Sequence, residues 1–76
     1  MMTTLSKLGT GAQAKIARIH ADESLFHRMS AMGLRIGKSI QVIRRASFNG
    51  PIQVRVGTTD IMLRLTDAER ISIIPE

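Results

Sequence analysis

Short runs of alternating aliphatic and polar residues in the second half of the sequence constrain the fold more than any other feature. The clearest run covers residues 52–56, and the same period of two recurs at residues 40–42 and 61–65. Successive side chains of a strand point to opposite faces of a sheet, so these runs predict strands that are buried on one face. The chain is therefore predicted to be mostly β.

Turn residues separate these runs at short intervals. Asn49-Gly50 lies between two of the predicted strands and is a strong hairpin signal, because both residue types tolerate positive φ angles. Residues 57–60 predict a second turn. Residues 66–70 predict one helical turn, and residues 71–73 begin a last short strand. Strands joined by such short links favour a small antiparallel barrel, in which closure removes exposed strand edges.

The first half of the chain adds one strand and one helix. Residues 12–20 predict a first strand, in which the three-residue spacing of Ile16 and Ile19 requires a β-bulge if both are core residues. Residues 22–32 predict a helix, because Asp22 can cap the first turn and apolar residues then recur at helical spacing. The predicted fold is a small five-stranded antiparallel barrel of the SH3-like kind with one short helix between strands one and two.

The helical pattern predicts where the side chains in and just after the helix lie. Leu25, Met29 and Met32 form its apolar stripe, and Phe26 beside them is expected in the core. Gly33 stands where a left-handed residue commonly ends a helix, so that Leu34 can fold back onto the last turn.

Length and composition indicate one small domain over residues 1–76. The sequence is 43% hydrophobic and 22% charged, which is too apolar for intrinsic disorder, and it contains no cysteine that could form a disulfide. No apolar run reaches the roughly 18 residues of a membrane span or forms a signal-peptide core. We therefore expect a cytoplasmic protein.

The functional groups of an enzyme are missing from the sequence. It has no Cys, no Tyr, no glycine-flanked serine and no phosphate-binding loop that opens a helix, so no catalytic role is expected. His20, Asp22, Glu23 and His27 form a loose His/carboxylate group. The two histidines do not have the i, i+4 spacing that places two ligands on one helical face, and they are interpreted as surface residues. No metal or cofactor is predicted.

A formal net charge of +5 leaves nucleic acid as one alternative partner. Arg44, Arg45, Arg55 and Arg64 could share an outer face of a barrel. Single-strand binders stack bases on aromatic side chains, however, and this sequence has two Phe, no Trp and no Tyr. The same lack argues against binding of proline-rich peptides, which dock on aromatic grooves. Docking on a partner protein remains the first hypothesis.

The apolar content is generous for so small a core. Met29, Met32, Leu34 and Met62 need not all be buried, and methionine suits adaptable contact surfaces. A methionine at helical spacing is also a common core residue, so both interpretations stay open for these side chains.

An ordered set of residues resembles a known family. Its members are Leu5, Leu8, Gly11, Ala14, Ile16, Ile19, Arg28, Met29, Met32, Gly33, Leu34, Gly37, Gly50, Pro51, Val54, Leu63, Arg64, Ala68 and Ile71. In this order and spacing they resemble the FeoA family, the small cytosolic proteins of bacterial ferrous iron transport. The likeness runs from about Leu5 to Ile74. The family often has proline where Ile36 stands, and Gly37 is kept.

The resemblance implies an SH3-like barrel that regulates or assembles with the membrane ferrous iron transporter FeoB, which has a cytosolic GTPase domain. It implies partner contacts around the helix and the turn that follows. The residues expected at the partner surface are Arg28, Met29, Met32, Leu34, Arg35, Met62 and Arg64. The residues expected to form turns are Gly33, Gly37, Asn49 and Gly50. A similar domain ends iron-dependent repressors, which keeps a transcription-linked module open, and weak self-association is also left open.

Overall fold

The computed structural model describes residues 2–76, which form a single antiparallel sheet with two short α-helices. The elements in chain order are β1 (Thr3–Thr4), a 3-10 turn (Leu5–Lys7), β2 (Gln13–Ile19), α1 (Glu23–Ala31), β3 (Ser39–Arg45), β4 (Ile52–Val56), β5 (Thr59–Leu63), α2 (Leu65–Ala68) and β6 (Ile71–Pro75). The strand order across the sheet is β1-β6-β2-β3-β4-β5. No helix within residues 2–76 has the length and apolar character needed to cross a membrane.

The predicted mostly β architecture is confirmed, but the predicted number of strands is wrong. The sheet has six strands, because Thr3 and Thr4 pair with Ile73 and Ser72. Two residues are too few to show an alternating pattern, so β1 could not be predicted from the residue pattern. Helix α1 consequently lies between the second and third strands. The run at residues 61–65 also ends two residues early, because Leu65 begins α2.

Irregular pairing bends the sheet around its core. The register of β2 against β6 shifts between Ile16 and Arg18, which confirms the predicted bulge. A second shift, in β3 between Val42 and Arg44, was not predicted. Bulges increase the local twist and bend the strand that carries them, so each helps the sheet to curl.

The core is built of aliphatic side chains from both helices, from β2 to β6 and from the segments that precede β2 and follow α1. Its members are Leu5, Leu8, Ala14, Ile16, Met29, Leu34, Ile40, Val42, Ile52, Val54, Val56, Ile61, Leu63, Ala68, Ile71 and Ile73. The alternating positions of β4 and β5 are therefore buried as the sequence predicts.

Helix α1 is fixed at both ends by local hydrogen bonds. The Asp22 carboxylate accepts the backbone N–H of Leu25 at 2.8 Å, as an N-cap does. At the other end Gly33 has a φ of +96°, and the N–H of Leu34 donates to the Met29 carbonyl at 2.9 Å. This pattern is a Schellman motif, with the buried side chains of Met29 and Leu34 forming its apolar contact.

The outer surface of α1 differs from the prediction for Phe26. Its side chain is 41% exposed, so the prediction that it belongs to the core is wrong. Met29 is the one fully buried residue of this nine-residue helix, and Leu25 only packs against the edge of the core. A short helix that contacts the sheet through a single row of residues leaves the positions beside that row in solvent.

The β3–β4 hairpin is present as predicted, but its turn is displaced by one residue. Phe48 and Asn49 have φ values of 58° and 59°, and the N–H of Gly50 donates to the Ser47 carbonyl at 3.2 Å. Two successive positive φ angles define a type I′ turn centred on Phe48-Asn49. Gly50 is needed for a different reason: a Cβ there would lie 2.7 Å from the Cβ of Ala46.

Phe48 is a poor residue for this turn, and its replacement should stabilise the domain. A bulky residue at positive φ is strained, and its fully exposed ring gains nothing from burial. We expect Phe48→Asn to raise the free energy of unfolding by about 0.5–1 kcal/mol, since Asn tolerates this conformation. Urea denaturation measures the change. Phe48→Leu keeps the strain and serves as the control, and equal stabilities of the two variants would contradict the prediction.

Candidate functional site

An open groove of about 560 Å³ lies between the end of α1 and strand β5. Residues 30–33 and Arg35 line one wall, and residues 59–62 line the other. The Schellman motif creates the first wall: the left-handed turn at Gly33 sends Leu34 into the core and leaves Met32 and Arg35 outside. The groove is thus a direct product of the way α1 ends.

Two exposed methionines contribute to opposite walls of the groove. The side chain of Met32 is 38% exposed and that of Met62 is 61% exposed. Methionine side chains are flexible and polarisable, so they can adapt to an apolar group that enters between them. Two such side chains facing one groove are typical of a binding surface.

The groove is lined by one acidic and one basic residue, and they differ in whether they are paired. Asp60 on the β5 wall accepts hydrogen bonds from the Arg55 guanidinium at 2.7 and 3.1 Å and from the Gln53 amide at 3.1 Å. The hydrogen bond from Arg55 lowers the pKa of the Asp60 carboxyl below its ordinary value, so this carboxylate stays ionised and paired at neutral pH. No ion pair involves Arg35 within residues 2–76. The groove therefore presents an unpaired positive charge.

The structure brings together three of the residues predicted at the partner surface. Met32, Arg35 and Met62 all line the groove, although they come from two separate parts of the chain. Arg28 is exposed one helical turn before Met32 but is not among the residues that line the groove. Arg64 does not line the groove and lies in a second depression, with Asn49 and Gly50.

The predicted partner contacts of Met29 and Leu34 are wrong. Both side chains are completely buried inside the domain, so neither can meet a partner while the chain is folded. The physical reason is the Schellman motif, in which these two residues pack on each other and on the core. Gly33 and Gly37 do form turns with positive φ, as predicted.

The wall formed by residues 59–61 was missed by sequence reasoning. Alternation identified the buried face of β5, but it carries no information about which edge of the strand faces an open groove. No local signal marks this wall, because β5 ends the sheet only through the way the other strands pair.

The arginines considered for nucleic acid do not form a free basic face. The guanidinium of Arg45 donates to the backbone carbonyls of Ser6 and Leu8, with a distance of 2.6 Å to the former. Arg55 is paired with Asp60. Two of the four side chains therefore have structural partners, which leaves Arg44 and Arg64 for outside contacts.

The two histidines are placed separately. His20 Nε2 lies 3.1 Å from the Ser72 hydroxyl, whereas His27 Nε2 lies 3.6 Å from the Glu23 carboxylate on the exposed surface of α1. Within the described part of the chain, no three His, Cys, Asp or Glu side chains are grouped as metal ligands.

The family model of the FeoA domain matches residues 3–75, which is nearly the whole sequence. The chain belongs to the FeoA family. This match confirms the family predicted from the residue pattern, and with it a relation to ferrous iron transport.

A curated relative joins this family to a transporter. The chain is 35% identical over 69 residues to a Fe(2+) transport protein A/Fe(2+) transporter FeoB fusion protein of Porphyromonas gingivalis. The aligned region is 91% of this chain and 8% of the fusion protein, so the chain spans only a small part of that relative's length.

Solved structures of FeoA proteins share the fold. An iron uptake regulatory protein (FeoA) crystal structure superposes with a TM-score of 0.92 at 26% identity, and the alignment covers 100% of both chains. A zinc complex of FeoA from Stenotrophomonas maltophilia, described as a procaryotic SH3 domain protein, has a TM-score of 0.75 at 25% identity and covers 93% of this chain and 88% of that one. These likenesses support the predicted SH3-like fold.

Proposed function

We propose that this FeoA-family chain is a cytosolic accessory protein of bacterial ferrous iron uptake that docks on the GTPase region of a FeoB-type transporter and modulates it. The observation that carries the proposal is the Porphyromonas gingivalis fusion protein, in which a related segment and FeoB form one polypeptide. Covalent linkage holds two modules at a high effective concentration, which is useful where the modules act on each other.

The groove between α1 and β5 is the surface that best supports such docking. Met32 and Met62 offer an adaptable apolar contact, and Arg35 adds an unpaired charge that can select an acidic partner. Arginine is one of the residue types enriched among the hot spots of protein interfaces. The docking contact is accordingly assigned to Met32, Arg35 and Met62, with Arg28 one helical turn before Met32.

A charge placed in the groove should weaken binding to the transporter. We expect Met62→Glu to lower the affinity by roughly tenfold or more, because a carboxylate would have to be desolvated on docking. The measurement is biolayer interferometry with the purified FeoB-type transporter of the same bacterium in detergent. Iron uptake by cells that carry each variant then reports on modulation.

Phe48→Glu is the matched control, since it also replaces an exposed apolar side chain with a carboxylate, in the β3–β4 turn and outside the residues that line the groove. We expect this variant to bind as the unaltered chain does. Equal losses in both variants would contradict the assignment of the groove. No binding of the unaltered chain would contradict docking itself.

A further inference from the structure

Strand β5 presents its free edge to the groove. Within residues 2–76 it pairs with β4 alone, which makes it one end of the sheet. Four consecutive residues, 59–62, line the same groove. Side chains alternate between the two faces of a strand, so consecutive residues can share a groove only where the strand turns its edge toward it.

The β4–β5 turn determines which backbone groups point outward. Gly57 has a positive φ of +63°, whereas the φ of Thr58 is not positive. This combination indicates a two-residue hairpin of type II′, and Val56 and Thr59 form the pair that closes it. The closing pair of such a hairpin exchanges both hydrogen bonds, and hydrogen-bonded and non-hydrogen-bonded pairs then alternate along the ladder. Asp60 and Met62 fall at the non-bonded positions. Their N–H and C=O groups therefore point away from β4, into the groove.

This edge lacks the usual protection against pairing with another strand. It has no proline, lysine or bulge, and the one charged residue in it, Asp60, is already paired with Arg55. The other end of the sheet, β1, is only two residues long. β5 is five residues long, which at about 3.4 Å per residue leaves room for an added strand of four or five residues.

The charges around the edge favour an acidic partner over a second copy of the chain. Arg35 lines the groove, and Lys38 lines an adjoining depression that shares Gly33 and Arg35 with it. Neither cation forms an ion pair within the described residues. A symmetric contact between two copies would place these cations near their own counterparts, and each copy carries a net charge of +5.

We propose that an extended segment of the transporter, with apolar residues alternating with Asp or Glu, adds to β5 as an antiparallel or parallel seventh strand. This inference rests on the proposed docking function and gives its physical mode. The backbone of Asp60 and Met62 supplies the hydrogen bonds, Met32 and Met62 contact the apolar side chains, and Arg35 pairs with the acidic ones.

Amide hydrogen exchange of the unaltered chain tests the mode directly. In the free chain we expect the amides of Asp60 and Met62 to exchange fast, and those of Ile61 and Leu63 to be protected by β4. In the saturated complex with the purified transporter, exchange at Asp60 and Met62 should slow by roughly tenfold or more. A saturated complex in which both amides still exchange fast would overturn the inference and leave docking standing. Protection that rises with chain concentration in the absence of transporter would assign the edge to a second copy and contradict the transporter segment.

A pair of variants isolates the Met62 backbone donor. Met62→Thr keeps the N–H and Met62→Pro removes it at an edge position where a sheet tolerates proline. Both lose the methionine thioether, so that loss cannot account for a difference between them. We expect Met62→Pro to bind the transporter roughly tenfold more weakly than Met62→Thr, as expected for the loss of one backbone hydrogen bond. Protected core amides in both variants verify folding. Equal affinities of the two folded variants would overturn the inference, and absence of binding by the unaltered chain would contradict the proposed function and the inference together.

Discussion

A Leu34→Asp variant is expected to be unfolded under conditions in which the unaltered chain is folded. Leu34 is fully buried and packs within the core as the residue after the Gly33 turn. Loss of its packing alone costs about 2–5 kcal/mol, and a carboxylate buried without a partner adds to that cost. A core in a domain of this size rarely supplies more than about 3–5 kcal/mol of net stability. The substitution should therefore exceed the stability margin.

Met32→Asp is the matched control, because it makes the same polar change two residues earlier in the chain. Met32 is 38% exposed, so its carboxylate can remain hydrated. We expect this variant to keep the circular dichroism spectrum and cooperative thermal transition of the unaltered chain, and Leu34→Asp to lose both. A cooperative transition in Leu34→Asp would show that Leu34 is not the core residue described above.

The second large effect is expected for Arg45→Met, which should lower the free energy of unfolding by about 2–3 kcal/mol. The Arg45 guanidinium donates hydrogen bonds to the carbonyl oxygens of Ser6 and Leu8. Hydrogen bonds from a charged donor are stronger than neutral ones, and removal of the donor leaves partly buried carbonyls unsatisfied. The segment before β2 would lose its attachment to the end of β3.

Arg44→Met makes the same change at the neighbouring position. Arg44 is exposed, so this variant should stay within about 0.5 kcal/mol of the unaltered chain. Urea denaturation of the two variants side by side measures the difference. If Arg45→Met unfolded at the same urea concentration as Arg44→Met, the hydrogen bonds from Arg45 to the N-terminal segment would contribute nothing to stability.

The regular elements were the part of the fold that the residue pattern could predict. Alternation placed β4 and most of β5, the Ile16–Ile19 spacing predicted a bulge, and Asp22 with Gly33 placed the ends of α1 close to their observed positions. These signals are local: each depends on residues within one turn or one strand. Strand β1 gave no such signal, because its two residues become a strand only by pairing with β6, roughly seventy positions away.

The candidate site was predicted only in part, for a related reason. Met29 and Met32 share one helical stripe, and spacing alone cannot tell which of them faces the core. The Schellman motif decides this: Met29 is fully buried, whereas Met32 stays partly exposed in the wall of the groove. Arg64 and Met62 were both predicted at the partner surface, but they line different depressions.

The sequence by itself determined the mostly β class, the single capped helix and the FeoA-type pattern of glycines and aliphatic residues, because these depend on periodicity and on φ preferences of individual residues. Tertiary structure alone decided which side chains of α1 remain outside and that β5 ends the sheet beside them. Both outcomes depend on how distant segments of the chain come together, as where the end of α1 and β5 line one groove. Such contacts are set by how the whole sheet bends around its core, and no local pattern of residues encodes them.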